Sequence, residues 1–130
     1  MRFLVAFDKF KDALSAGYVC RLASEHLESG LPNVRVSEIP LTDGGEGFCD
    51  ILTGAVGGRF SSHIVEGPLG QPVDVRIGYV ELGLLSSKVR ELANLPSEGE
   101  VAVLEMASAA GLEQVPEPLR DPVSYTHLRA

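Results

Sequence analysis

The opening stretch of the chain constrains the fold more than any other feature. Phe3-Leu4-Val5-Ala6-Phe7 is a continuous apolar run, the pattern of a strand buried on both faces of a parallel sheet. Polar residues follow at once, namely Asp8, Lys9, Lys11 and Asp12. Ser15 can cap a helix, because its hydroxyl accepts a hydrogen bond from an amide of the first turn. Val19, Leu22, Ala23, His26 and Leu27 then recur at three- and four-residue spacing and share one helical face. His26 is expected at the core or its boundary. Gly30 and Pro32 stop the helix. Val34, Val36 and Ile39 predict a second strand over residues 34–39 that ends at Pro40. Strand, helix and strand make a βαβ unit with a right-handed crossover, so the expected class is α/β with a parallel start.

Thr42-Asp43-Gly44-Gly45-Glu46-Gly47 leads into a second helix, with Phe48, Ile51, Leu52 and Ala55 or Val56 on its apolar face and Gly57-Gly58 at its end. Residues 59–66 and 73–82 read as extended segments around Gly67-Pro68-Leu69-Gly70-Gln71-Pro72. That hexapeptide is turn chemistry, so a hairpin is expected. Lys88 to Leu95 fits a short helix. Val101 to Met106 is a further apolar strand, and the small residues Ala107 to Gly111 open a helix after it. Pro116, Pro118 and Pro122 punctuate a loop.

The chain has 130 residues, 45% apolar and 22% charged, which is ordinary globular composition. Its net charge of -7 excludes a general nucleic-acid binder, since no basic stripe exists to neutralise phosphates. An anionic substrate must then be held by local groups against a repelling global field. Cys20 and Cys49 are too few for a disulfide framework or a zinc site and read as buried thiols in a reducing cytosol. The apolar start is too short for a signal peptide, and no run reaches the length of a membrane span. A cytoplasmic protein without a membrane or nucleic-acid partner is expected, and no residue pattern sets an oligomeric state.

Three segments can carry chemistry. The first is Asp8-Lys9-Phe10-Lys11, at the carboxyl end of a strand, where ligands bind in open α/β sheets. Lys11 can neutralise a phosphate or carboxylate, and Asp8 can bind magnesium or accept a proton; a solvated loop with a helix-capping acid is the plainer alternative. The second is Asp43-Gly44-Gly45-Glu46-Gly47. Its glycines let the backbone approach a ligand, and their amides at a helix start can cradle an anion. Asp43 and Glu46 can ligate magnesium or hold substrate hydroxyls, although acids at a helix start also stabilise it without a ligand. The run lacks the Gly-Lys-Ser/Thr end of a nucleotide phosphate loop. The third is Glu105-Met106-Ala107-Ser108-Ala109-Ala110-Gly111, where Ser108 offers a hydroxyl and the alanines suit close helix–sheet packing. His63 and His127 are isolated, so the sequence assembles no metal cluster around them.

Read together, these segments resemble the type 1 glycerate kinases. Ala6-Phe7-Asp8-Lys9-Phe10-Lys11-Asp12-Ala13-Leu14-Ser15-Ala16 resembles the family's opening A-P-D-S/K-F-K-G-S-L-S-A. Pro40-Leu41-Thr42-Asp43-Gly44-Gly45-Glu46-Gly47 is similar to its P-x-A/T-D-G-G-E-G signature, and Gly67-Pro68-Leu69-Gly70-Gln71-Pro72-Val73 to its G-P-L-G-x-P-V run. Glu105 to Leu112 resembles E-M-A-x-A-S/A-G-L, followed by Val115-Pro116 and Arg120-Asp121-Pro122. The resemblance implies ATP- and magnesium-dependent phosphorylation of D-glycerate, with the 2-phosphate as the usual product of this type. It also implies two α/β domains, one Rossmann-like, with the active site between them. Residues 1–60 are then part of the Rossmann-like domain, and 61–123 begin a second or interleaved, mixed α/β domain.

Family members are much longer, so the chain is expected to be a truncated, first part of such an enzyme and inactive alone. Ser124-Tyr125-Thr126-His127-Leu128-Arg129-Ala130 departs from the family's Thr-rich, Gly-containing run and is expected to be a non-native tail. Phosphoryl transfer asks the protein mainly for positioning and charge neutralisation. On that mechanism the expected catalytic residues are Asp8, Lys11 and Asp43, with Lys11 on a carboxylate or phosphate and Asp8 or Asp43 serving magnesium or the attacking hydroxyl, while Gly44, Gly45, Glu46, Gly47 and Ser108 bind substrate or phosphate. The alternatives are a non-catalytic anion-binding α/β module and a kinase of another small sugar acid.

Overall fold

The computed structural model describes residues 1–11 and 13–120. The expectation for residues 124–130 lies outside the described residues. The chain divides into two units, Met1–Ile51 and a second that begins at Leu52.

The first unit holds strand β1 (Arg2–Val5), helix α1 (Ala16–Gly30) and strand β2 (Arg35–Glu38). β1 and β2 pair in parallel from Arg2↔Arg35 to Val5↔Glu38, the predicted βαβ arrangement. Ser15 caps α1, its Oγ accepting from the Tyr18 amide at 3.4 Å, and the Leu31 amide closes the far end on Leu27 O at 3.1 Å. α1 packs on one face of the pair, with Val5, Ala16, Val19 and Cys20 buried. The Cys20 thiol points at Val5 O, 3.8 Å away.

Three readings of this region are corrected. The run Phe3–Phe7 is not buried on both faces: Leu4 is 64% and Phe7 39% exposed. A two-stranded sheet with its helix on one side covers only alternate residues, so Val5 faces in and Leu4 faces out. The inner face of α1 is turned from the predicted stripe towards Cys20 and Ser24, leaving Leu22 exposed. Ser24 enters because its hydroxyl donates to Cys20 O at 2.9 Å, which satisfies it inside the helix. His26 is exposed, not at the core, and its Nδ1 lies 2.9 Å from Leu22 O.

Helix α2 (Phe48–Ala55) begins in the first unit and ends in the second. Its end is a Schellman motif: the Gly58 amide bonds Thr53 O at 2.9 Å and the Gly57 amide bonds Gly54 O at 3.2 Å. Gly57 takes the φ of 68° that this stop requires.

The second unit is built on an antiparallel sheet in the order β3 (Arg59–Glu66), β4 (Pro72–Glu81) and β5 (Glu100–Val103). The hairpin pairs Arg59↔Tyr79 through Glu66↔Pro72, as predicted. Its loop is closed by Gly67 N to Gln71 O at 2.7 Å and Gly70 N to Gly67 O at 3.0 Å. Short helix α3 (Ser87–Leu92) has Ser86 as its cap. β5 ends earlier than the predicted Val101–Met106 strand, because Met106 already opens helix α4 (Met106–Ala110). Alanine-rich Met106–Ala110 favours the helix, and the Ser108 hydroxyl ties its first turn to Glu105 O at 2.7 Å. Val73, Val75, Val80, Leu82, Val103 and Val115 form the buried core of this unit. Thr53 packs against Gly78 with no room for a side chain between them.

Candidate functional site

The parallel pairing of β1 and β2 brings two loops out side by side. Hydrogen bonds continue past the strands, from the Ile39 amide to Val5 O at 2.8 Å and from the Leu41 amide to Phe7 O at 2.9 Å. Residues 8–11 and 42–47 therefore leave the same, carboxyl end of the sheet, where α/β ligand loops belong.

In the first loop, Asp8 Oδ1 accepts from the Lys9 amide at 2.7 Å. Phe10 and Leu14 exchange backbone hydrogen bonds at 2.9 and 3.0 Å, folding the chain into a compact turn. Lys11 stands exposed on that turn. In the second loop, Gly44 and Gly47 have φ of 93° and 87°. A side chain there would be strained, so the two glycines are what allow the loop to close onto α2. The Gly45 amide donates to Asp43 Oδ1 at 3.0 Å and the Gly44 amide to Thr42 Oγ1 at 3.3 Å. The loop's own side chains thus occupy two of the amides predicted to cradle an anion.

The residue that joins the loops is Lys9. Its Nζ lies 3.2 Å from Glu46 Oε2, with the two side chains 25% and 53% exposed. An ion pair this open to water contributes about 0–1 kcal/mol to stability. The same Nζ lies 3.5 Å from where a Cβ on Gly45 would stand. The structure therefore brings together Asp43, Gly44, Gly45, Glu46 and Gly47, and sets Asp8 and Lys11 in the adjoining loop. The contact between loops is made by Lys9, which the sequence reading quoted in its motif without assigning it a role.

Ser108 belongs to the second unit, half-buried in α4, its hydroxyl turned back to Glu105 O. His63 lies on β3, its Nε2 2.7 Å from Ser61 Oγ. Among the described residues, no group of three or more His, Cys, Asp or Glu could hold a metal ion. A shallow cavity of about 430 Å³ is lined by Arg2, Glu28, Val34, Arg35, Val36 and Ser37. It lies at the amino ends of β1 and β2, the wrong end for a ligand loop. Among the described residues, no helix is long and apolar enough to cross a membrane.

Comparison with known proteins shows the family to which the chain is similar. A model of the glycerate kinase family matches residues 3–128. A glycerate kinase of Bacillus subtilis (strain 168) is 33% identical over 126 residues, 97% of this chain and 29% of that protein. A glycerate 2-kinase of Escherichia coli (strain K12) is 31% identical over the same shares of each chain. A crystal structure assigned as glycerate kinase 2 of Salmonella typhimurium LT2 matches with a TM-score of 0.61 at 35% identity, covering 94% of this chain and 28% of that one. The chain thus spans less than a third of the length of these relatives.

Proposed function

The chain belongs to the glycerate kinase family, and from that membership we propose that it supplies one wall of a site where ATP phosphorylates D-glycerate, giving the 2-phosphate. The observation that carries this reading is the meeting of two charged loops, the second rich in glycine, at the carboxyl end of a parallel pair, through Lys9 and Glu46.

The work asked of these residues is positioning and neutralisation of charge. Lys11, exposed beside the junction, takes an anionic group of glycerate or of the nucleotide. Gly44, Gly45 and Gly47 let substrate approach the backbone, with Glu46 on its rim. Asp8 or Asp43 orients the attacking hydroxyl. Magnesium fits this chemistry. Asp8 and Asp43 are exposed carboxylates that each hold one backbone amide on one oxygen, and magnesium is commonly held by one or two carboxylates together with phosphates and water. When bound, the ion would offset phosphate charge.

The test is an assay with ATP, magnesium and D-glycerate on a protein of the relatives' length that carries this sequence. Lys11→Ala and Asp43→Ala should each lower turnover about 100-fold or more, the scale set by loss of a positioned charge. Unchanged turnover in both variants would remove the site assignment. Turnover of another sugar acid in place of glycerate would remove the substrate.

A further inference from the structure

We propose that Lys9 is a second cation, beside Lys11, that receives a small oxyanion, a carboxylate or a phosphate, and that the Glu46 carboxylate holds the same seat until the ligand displaces it. The inference rests on the reading of the two loops as a substrate site and goes further by assigning the seat.

The geometry supports it at three points. Lys9 Nζ already accommodates one carboxylate oxygen at 3.2 Å. That ammonium also lies 3.5 Å from the place of an absent Gly45 side chain, with Asp43 Oδ1 3.1 Å from the same place, so a ligand reaching Lys9 meets the backbone of the glycine loop with the Asp43 carboxylate beside it. Lastly, the Lys9 side chain is 25% exposed against 53% for Glu46. Lysine is therefore held against the loop, and glutamate is the partner that can swing into water. One oxyanion replaces another on one ammonium, so the charge on Lys9 stays balanced throughout. Glu46 is then a competitor of the ligand rather than its partner.

The sign of one substitution decides between the roles. The 130-residue chain would be titrated with D-glycerate and, separately, with inorganic phosphate, following the amide resonances of residues 44–47 and the Lys9 ammonium by NMR. Glu46→Gln removes the competing charge and should tighten binding, by up to about five-fold if the ion pair has its full exposed strength. Lys9→Met should weaken binding about ten-fold or more, and Lys9→Arg should largely retain it. Weaker binding in Glu46→Gln would make Glu46 a direct ligand and overturn the proposal, as would unchanged binding in Lys9→Met. Failure of both anions to bind the unsubstituted chain would overturn it too. Phosphate binding at Lys9 without glycerate binding keeps the seat and instead removes the glycerate reading of the site.

Discussion

Thr53 and Gly78 show how much a single contact can demand. Thr53 is 0% exposed, and its Oγ1 has no hydrogen-bond partner among the described residues. The reason lies opposite: a Cβ on Gly78 would overlap that oxygen and stand 2.9 Å from Thr53 Cβ. Gly78→Ala should therefore destabilise the chain by about 1–3 kcal/mol through overpacking. Thr53→Ala in the same chain should return part of that loss. Urea unfolding of the two single variants and the double variant measures the coupling; simple additivity would mean that the contact does not set the spacing. Nothing in the sequence around Gly78 announces this, because a glycine in a strand gives no hint of what packs on it. The two loops were more legible. The charges of both and the glycines of the second marked them as a place for an anion, but the choice of Lys9 over Lys11 as the bridge depends on how the loops align. That alignment is fixed by the bond from the Leu41 amide to Phe7 O, a contact between distant residues.

At the scale of elements, punctuation was readable and orientation was not. Ser15, Gly57-Gly58 and Gly67 to Pro72 act locally, so the ends of α1 and α2 and the hairpin turn stand where their chemistry puts them. The face of α1 misled because Ser24 looks polar in sequence yet hides its hydroxyl on Cys20 O. A cross-strand strap was also invisible. Arg59 on β3 lies over the Tyr79 ring, 4.1 Å from its centroid, and reaches Glu100 on β5 with its Nε and Nη2, the shortest contact being 2.7 Å. It spans all three strands of the sheet in one side chain. Lysine can reproduce the charge but not the two-pronged bond or the flat stacking. Both partners are well exposed, at 62% and 37%, so Arg59→Lys should cost only about 0.5 kcal/mol, measured as a shift of the thermal midpoint that shrinks with added salt. A loss of several kcal/mol would show that the strap organises the sheet instead of decorating it.

For the molecule as a whole, class and order of elements were legible, while the covering of surfaces was not. The apolar run at the start implied two covered faces, and the first unit supplies one, leaving Leu4 64% exposed. Since the chain spans 29% of its relatives' length, and a kinase must align nucleotide, metal and acceptor together, we expect no measurable ATP- and glycerate-dependent turnover from these 130 residues alone. A protein of the relatives' length with this sequence should turn over, and equal rates from both would refute the claim. The pairing of Arg2 with Arg35 carries a consequence of another kind, for the order in which the molecule can be assembled. The hairpin of β3 and β4 turns back over the short stretch 67–71, so it can close in about 1–10 μs once both strands exist. β1 leaves the ribosome ahead of its partner strand β2, which comes only after the whole of α1. At about 5–20 residues per second, it waits on the order of seconds for that partner. During that interval Phe3 and Leu4 are an unpaired apolar edge, the segment on which a nascent-chain chaperone would act.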